Sequence, residues 1–325
     1  CRGFKSLLRY HLNMKLKIIT YHYVKDLKLK KNKNFKALDI TIFKKQIEFL
    51  KNNYNILTPD EVHYNIYNKK EFNKKDIWLT FDDGYKDHIK TVFPILEKNK
   101  LKASFYPTVI GSTGKDLLDI NKIHLILNKK KNYNFLISYI KKQFYINYSN
   151  KEKNFKEILS SINTNSPYDS KKIILIKSLL QSALPLELRS KICNKLLIKL
   201  YKKNLNKLST NYYLNLKEIK QLFKAGHEIG LHGFNHYPLN SFSIGEKEKE
   251  IVKCFHFWKS KKLLKEKWSF CYPFGIHDID CINILKKIKC NVAITTHQSN
   301  LKLRTNLKRL ALSRIDTNEV FKLLK

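Results

Sequence analysis

The chain has 325 residues, 43% of them apolar and 12% aromatic, enough to bury a sizeable core. Its 64 Lys+Arg against 27 Asp+Glu give a net charge of +37. The basic residues are mostly lysines spread from end to end, with no RNP, zinc-finger or helix-turn-helix signature, so they read as compositional drift in a Lys-, Asn- and Ile-rich chain rather than a nucleic-acid-binding surface. Six cysteines without a CxxC pair argue against structural zinc and against a disulfide framework.

The only methionine, Met14, precedes KLKIITYHYV, which reads as a buried strand and not as the apolar core of a signal peptide. Residues 1–13 are therefore expected to lie upstream of the natural start. No 18-residue apolar run offers a transmembrane helix. The expected location is cytoplasmic, with the inner membrane face as an extension of it.

Short apolar, β-branched or aromatic runs predict strands at 16–21, 77–81, 103–108, 227–232, 268–273, 292–296 and 309–315. Between them, amphipathic periodicity predicts helices at 41–52, 59–66, 86–99, 215–225, 245–264 and 279–288. Thr58-Pro59-Asp60-Glu61 supplies an N-cap with Pro at the first helical position, and Gly226 a C-terminal stop. This alternation argues for parallel strands in an α/β layer or barrel. Residues 117–212 break the rhythm: they are nearly free of glycine and helical in period. They read as a mainly helical insertion in a single domain spanning 14–325.

Residues 79–88, LTFDDGYKDH, place two adjacent carboxylates, Asp82 and Asp83, at a strand end. Like charges there need a partner. Residues 227–238, HEIGLHGFNHYP, supply one: His232 and His236 stand four apart just beyond another strand, with Gly233 and Asn235 permitting a turn between them. Two imidazoles and one carboxylate form the usual ligand set of a catalytic divalent metal with open positions. The cation would relieve the repulsion, leaving the second carboxylate to act as a base beside it. Each half alone has a plainer explanation, a capped turn or an ordinary surface histidine pair. Their joint occurrence at strand ends favours the metal.

TFDDG at 80–84, HGFNH at 232–236 and YPFG at 272–275 resemble the polysaccharide deacetylase family (NodB homology, carbohydrate esterase 4), in that family's order. YHYV at 21–24 and VFPILEKNKLKASFYPT at 92–108 are also similar to it. The resemblance implies an α/β fold, a distorted (β/α) barrel with the site at the C-terminal strand ends. It implies hydrolysis of an N-acetyl, sometimes O-acetyl, group on a sugar of a cell-surface polysaccharide or its precursor. Asp82 matches the catalytic base, and Asp83, His232 and His236 match the ligands of a divalent metal, Zn first with Co, Ni, Mn or Fe as alternatives. Phe274, beside Pro273, would give a backbone N–H to the oxyanion, and Tyr237 and Phe234 would stack on the sugar. The acetylated sugar could be lipid-linked or nucleotide-linked.

Two departures stand out. Cys271 occupies the place where many relatives carry the arginine that orients the base, and Arg314 is the candidate to replace it. The family's late histidine, its general acid, has no match, and His22 is the candidate there. A catalytically impaired relative that binds glycan or a partner is the competing reading. Trp78 and Trp268 read as core, His88 as a solvated helix residue, and His227 as supporting the metal histidines or merely structural. His124 and His297 have no spacing partner.

Overall fold

The computed structural model describes residues 15–29, 32, 36–130, 132–147, 154–164, 169–202, 204–296 and 305–323. Met14, the segment before it, and His297 lie outside these residues. Among the described residues no helix is long and apolar enough to cross a membrane. The chain divides into two compact units, one formed by residues 1–113 and 213–325 and the other by 114–212.

The first unit is built on parallel strands: β1 (Lys17–Tyr21), β2 (Asp76–Asp83), β3 (Ser104–Pro107), β4 (Glu228–Ile229), β5 (Ser269–Cys271), β6 (Val292–Ile294) and β7 (Ile315–Asp316). One run is ordered β7-β1-β2-β3-β4, and β5 pairs with β6. Single parallel bridges, Leu231 to Phe270 and Ile294 to Leu312, join these two groups at both edges. The ring therefore closes, as a barrel distorted where pairing thins to one residue.

Side-chain alternation sorts this ring into two apolar layers. Ile19, Tyr21, Leu79, Phe81, Phe105, Ile229, Phe270 and Ala293 point outward into the main core. There they meet Phe43, Ile47 and Leu50 of the helix Ile40–Asn53, Ile219 and Leu222 of Leu216–Lys224, and Ile251, Cys254 and Trp258 of Ile244–Ser260. The opposite parity, Ile18, Trp78, Tyr106, Cys271, Val292, Ile294 and Leu312, fills the barrel, with Val62 and Ile66 of the helix Pro59–Tyr67 packed against it. That helix begins with a capping box between Thr58 and Glu61, as its sequence predicts.

The lumen also holds a buried polar network. The Glu228 carboxylate accepts from the Ser269 N–H at 2.9 Å and its hydroxyl at 2.7 Å, and from Ser104, and lies 2.8 Å from His63 Nε2. The Trp78 indole donates to Ser104 at 2.9 Å. Tyr106 crosses the lumen to reach Ser269 at 2.7 Å, and a Cβ on Gly230 would lie 2.2 Å from its ring. Gly230→Ala should therefore displace Tyr106 and cost about 1–3 kcal/mol of stability. A shift in the urea midpoint measures it, and an unchanged midpoint would show that the ring gives way freely.

The C-terminal run differs from its sequence expectation. Residues 305–310 form 3₁₀ turns, and pairing begins only at Leu312. The helix expected over 86–99 is split by Pro94 into a π-helical turn, His88–Val92, and the short helix Phe93–Lys98. The unit 114–212 is helical among its described residues: Asp119–Lys129, Tyr133–Asn147, Phe155–Ser160, Lys171–Ser178, Leu186–Tyr201 and Leu205–Tyr212. Within it Lys122 is buried, paired with Asp116 at 2.7 Å and Asp119 at 3.2 Å.

Candidate metal centre and catalytic carboxylate

All strands of the barrel run in one direction, so their C-terminal ends gather residues far apart in sequence. β2 carries Asp82 on its inward parity, in line with Trp78 and Thr80, and it is buried. The next two residues leave the strand through consecutive left-handed conformations, Asp83 at φ 69° and Gly84 at φ 68°. Only glycine fits the second position, because a Cβ there would lie 2.6 Å from Cβ and 2.8 Å from Cα of Pro107 on β3. This turn gives adjacent carboxylates two different environments.

Asp82 is gripped by Arg314, which comes from the approach to β7. One guanidinium N–H donates to Oδ1 at 2.8 Å and another to Oδ2 at 2.6 Å, a fork-to-carboxylate pair. Thr20 adds a donor to Oδ2 at 3.4 Å, and His22 Nε2 lies 3.7 Å from that oxygen. Burial pushes the Asp82 carboxyl up, but the charge and hydrogen bonds of Arg314 outweigh it and hold it below the usual carboxylate range. Asp82 is thus a dry, ionised and oriented carboxylate.

Asp83 faces the histidines. Its Oδ1 lies 3.4 Å from His232 Nε2 and 3.3 Å from His236 Nε2 and has no hydrogen-bond partner. His232 Nδ1 is 2.7 Å from the Cys271 carbonyl. A carbonyl only accepts, so Nδ1 carries a proton; burial opposes a second one, but Cys271, Asp83 and Asp82 raise the His232 pKa above the usual imidazole range, so a cation would have to displace a proton from Nε2. Burial lowers the His236 pKa to about 4, which keeps that ring neutral near pH 7. A buried carboxylate oxygen facing two imidazole nitrogens is a donor set that fits a divalent cation. A second trio, Asp82, His232 and Cys271, is also close enough, but the fork of Arg314 already occupies Asp82, so the Asp83 trio is the better site.

The loop bearing His236 is pinned from below. Glu250, on the helix Ile244–Ser260, accepts the backbone N–H of His236 at 3.1 Å, the side-chain amide of Asn235 at 2.9 Å, and the Asn235 N–H. His236 itself is left-handed at φ 64°. Glu250 carries no signal of this role in the sequence, because the stretch around it, EKEKEIVK, looks like a solvated helix face.

The remaining candidates fall unevenly around this centre. Phe274, 38% exposed and left-handed at φ 58°, places its ring 4.7 Å from that of His236. Pro273 is buried beside Gly233, 3.3 Å from where a Cβ would be. Tyr237 meets Phe242 edge-on at 5.7 Å. Phe234 is partly buried against the main core, 6.5 Å from Phe257, and its carbonyl accepts the Ile110 N–H at 3.0 Å. His88 is not solvated either. It is buried under Phe81, Tyr85 and Phe105, and its Nε2 holds the His22 carbonyl at 2.9 Å. His227 is buried and structural, its Nδ1 accepting the Ala103 N–H at 3.1 Å. Trp78 and Trp268 are core.

Comparison with known proteins gives this geometry a context. The polysaccharide deacetylase family profile matches residues 69–121 and 202–293, segments that contain Asp82, Asp83, His232 and His236 but neither His22 nor Arg314. The Bacillus subtilis (strain 168) protein YxkH, provisionally named a polysaccharide deacetylase, is 36% identical over 55 residues, covering 17% of this chain and a fifth (20%) of that protein. The fold is similar to that of the Streptococcus pyogenes deacetylase PplD, solved with acetate, at TM-score 0.57 and 16% identity over 95% of this chain and 98% of that one. It is also similar to that of IcaB from Ammonifex degensii, at TM-score 0.54 and 14% identity, covering 95% and 94%. The profile falls on the very segments that build the carboxylate and histidine cluster, and the fold is shared along almost its whole length, so over these segments the chain is similar to the polysaccharide deacetylase family.

Proposed function

We propose that the chain removes acetyl groups from the nitrogen, or in some substrates the oxygen, of a sugar in a cell-surface polysaccharide or its precursor. The observation that carries this reading is the partnerless Asp83 Oδ1 set between His232 and His236, beside a carboxylate kept ionised by Arg314. Asp83, His232 and His236 would hold a divalent cation, Zn first. When bound, that cation supplies Lewis acidity toward water and the acyl oxygen.

The protein's own groups do the rest. Asp82 accepts the proton of the attacking water, and Arg314 orients it for that task. As the C–N bond breaks, His22 gives a proton to the departing amine. Its side chain is 45% exposed, so it can reach substrate, while its backbone is fixed by His88. The amide of Phe274 would donate to the acyl oxygen, by resemblance to the family. Arg314 also favours an enzyme over a non-catalytic binder: a binding protein has no need of a dry carboxylate held ionised by a buried fork.

Acetate release from N-acetylglucosamine oligomers, from lipid-linked N-acetyl sugars and from UDP-N-acetyl sugars tests the reading, with metal-stripped and metal-restored protein side by side. Release is expected only after a divalent metal is restored. A chain that takes up one metal yet deacetylates none of these substrates overturns the proposed reaction, and a chain that takes up none overturns the site.

A further inference from the structure

We propose that Tyr85 selects which oxygen of Asp83 faces the cation, and so acts as a positioning residue for the metal site; this rests on the metal reading above. Asp83 has two oxygens in different situations. Oδ1 looks toward His232 and His236 and is without a hydrogen bond, whereas Oδ2 accepts the hydroxyl of Tyr85. A carboxylate that turned about its Cβ–Cγ bond would exchange these oxygens or present both. The tyrosine hydroxyl prevents that turn only if the ring is itself immobile.

It is. Tyr85 is buried and lies between two other tyrosines, stacked on Tyr23 with centroids 3.9 Å apart and planes at 21°, and on Tyr213 at 5.9 Å and 19°. His88 meets it edge-on at 5.8 Å. The backbone is tied as well: Tyr85 bridges Tyr213, and the Leu214 N–H donates to the Gly84 carbonyl at 2.8 Å. The stack therefore fixes a hydroxyl, the hydroxyl fixes one carboxylate oxygen, and the other oxygen is left for the cation.

Tyr85→Phe keeps the ring stack and deletes the hydroxyl. Competition against a chromophoric chelator should show Zn²⁺ and Co²⁺ bound about 10- to 100-fold more weakly than by the wild type. The visible spectrum of the Co²⁺ form should lose intensity, because a freed Oδ2 can join Oδ1 on the ion and raise its coordination number. A purely structural role would instead lower the unfolding midpoint of the metal-free protein and leave the cobalt spectrum unchanged. Wild-type affinity and spectrum in Tyr85→Phe overturn the inference. Absence of Co²⁺ binding by the wild type overturns the metal reading itself, a separate failure.

Discussion

Arg314→Met is expected to slow acetate release by about 10²–10⁴-fold and to destabilise the fold by about 3–5 kcal/mol. Both effects come from one pair. Arg314 and Asp82 have side chains only 1% and 2% exposed, and each provides most of the other's compensation for leaving water. Without the guanidinium, Asp82 keeps only Thr20 at 3.4 Å and His22 at 3.7 Å. Burial then acts on its carboxyl unopposed and favours the protonated form, which cannot accept a proton from water. Asp82→Asn should cost as much in rate, for the plainer reason that the base is gone, and should also leave Arg314 buried without its partner. Combining the two substitutions separates the effects. Asp82→Asn/Arg314→Met leaves neither charge of this pair behind, so its urea midpoint should return toward the wild-type value while its turnover stays lost. Arg314→Lys keeps the charge but not the planar fork and should fall between. Wild-type rates in Arg314→Met would remove the arginine from the reaction altogether.

The barrel was legible because its strands are buried on both faces. Continuous apolar runs such as Ile77–Phe81 mark such strands without any alternation. The last two residues of β2 were harder to assign, since Asp82 and Asp83 end the apolar run while the ladder to Tyr106 and Pro107 carries the strand through them. The 309–315 run failed in the opposite sense: its apolar pattern suits a strand, but residues 305–310 coil first, and only the pairings of Leu312 and Ile315 are strand-like. The trio of Asp83, His232 and His236 was legible because each half is local, DDG in one turn and HGFNH in another. What stayed hidden depends on partners remote in sequence. Asp82 and Arg314 are 232 residues apart; only the family resemblance nominates Arg314 to orient the base, and nothing near either residue says that the fold joins them. Glu228 looks like one charge in a strand until Ser104, Ser269 and His63 converge on it inside the lumen. His88 stands in a polar stretch, yet the His22 carbonyl and the rings around it draw it inward.

Glu250 belongs to this hidden class, and Glu250→Ala is the second substitution expected to act strongly. The carboxylate gathers the amides of Asn235 and His236 and so closes the turn from Gly233 to His236. Its space is reserved for it: a Cβ on Gly233 would lie 3.2 Å from Oε1. Removing the carboxylate leaves backbone donors near the helix without acceptors, at about 1–3 kcal/mol each. It also frees His236 from a left-handed conformation that costs about 1–2 kcal/mol to hold. The turn should relax toward ordinary backbone angles and carry the imidazole away from Asp83. The expected result is a loss of about 2–5 kcal/mol in stability, and metal binding about 10- to 100-fold weaker. Glu250→Gln keeps the shape and one oxygen for the two amides, but it turns an NH₂ group toward the Asn235 side-chain amide, donor against donor. Its affinity should lie between those of the alanine variant and the wild type, unless Asn235 flips to accept. If Glu250→Ala holds Zn²⁺ as tightly as the wild type in a chelator competition, the turn is set by Gly233 and the chain around it, and His236 needs no support from the helix.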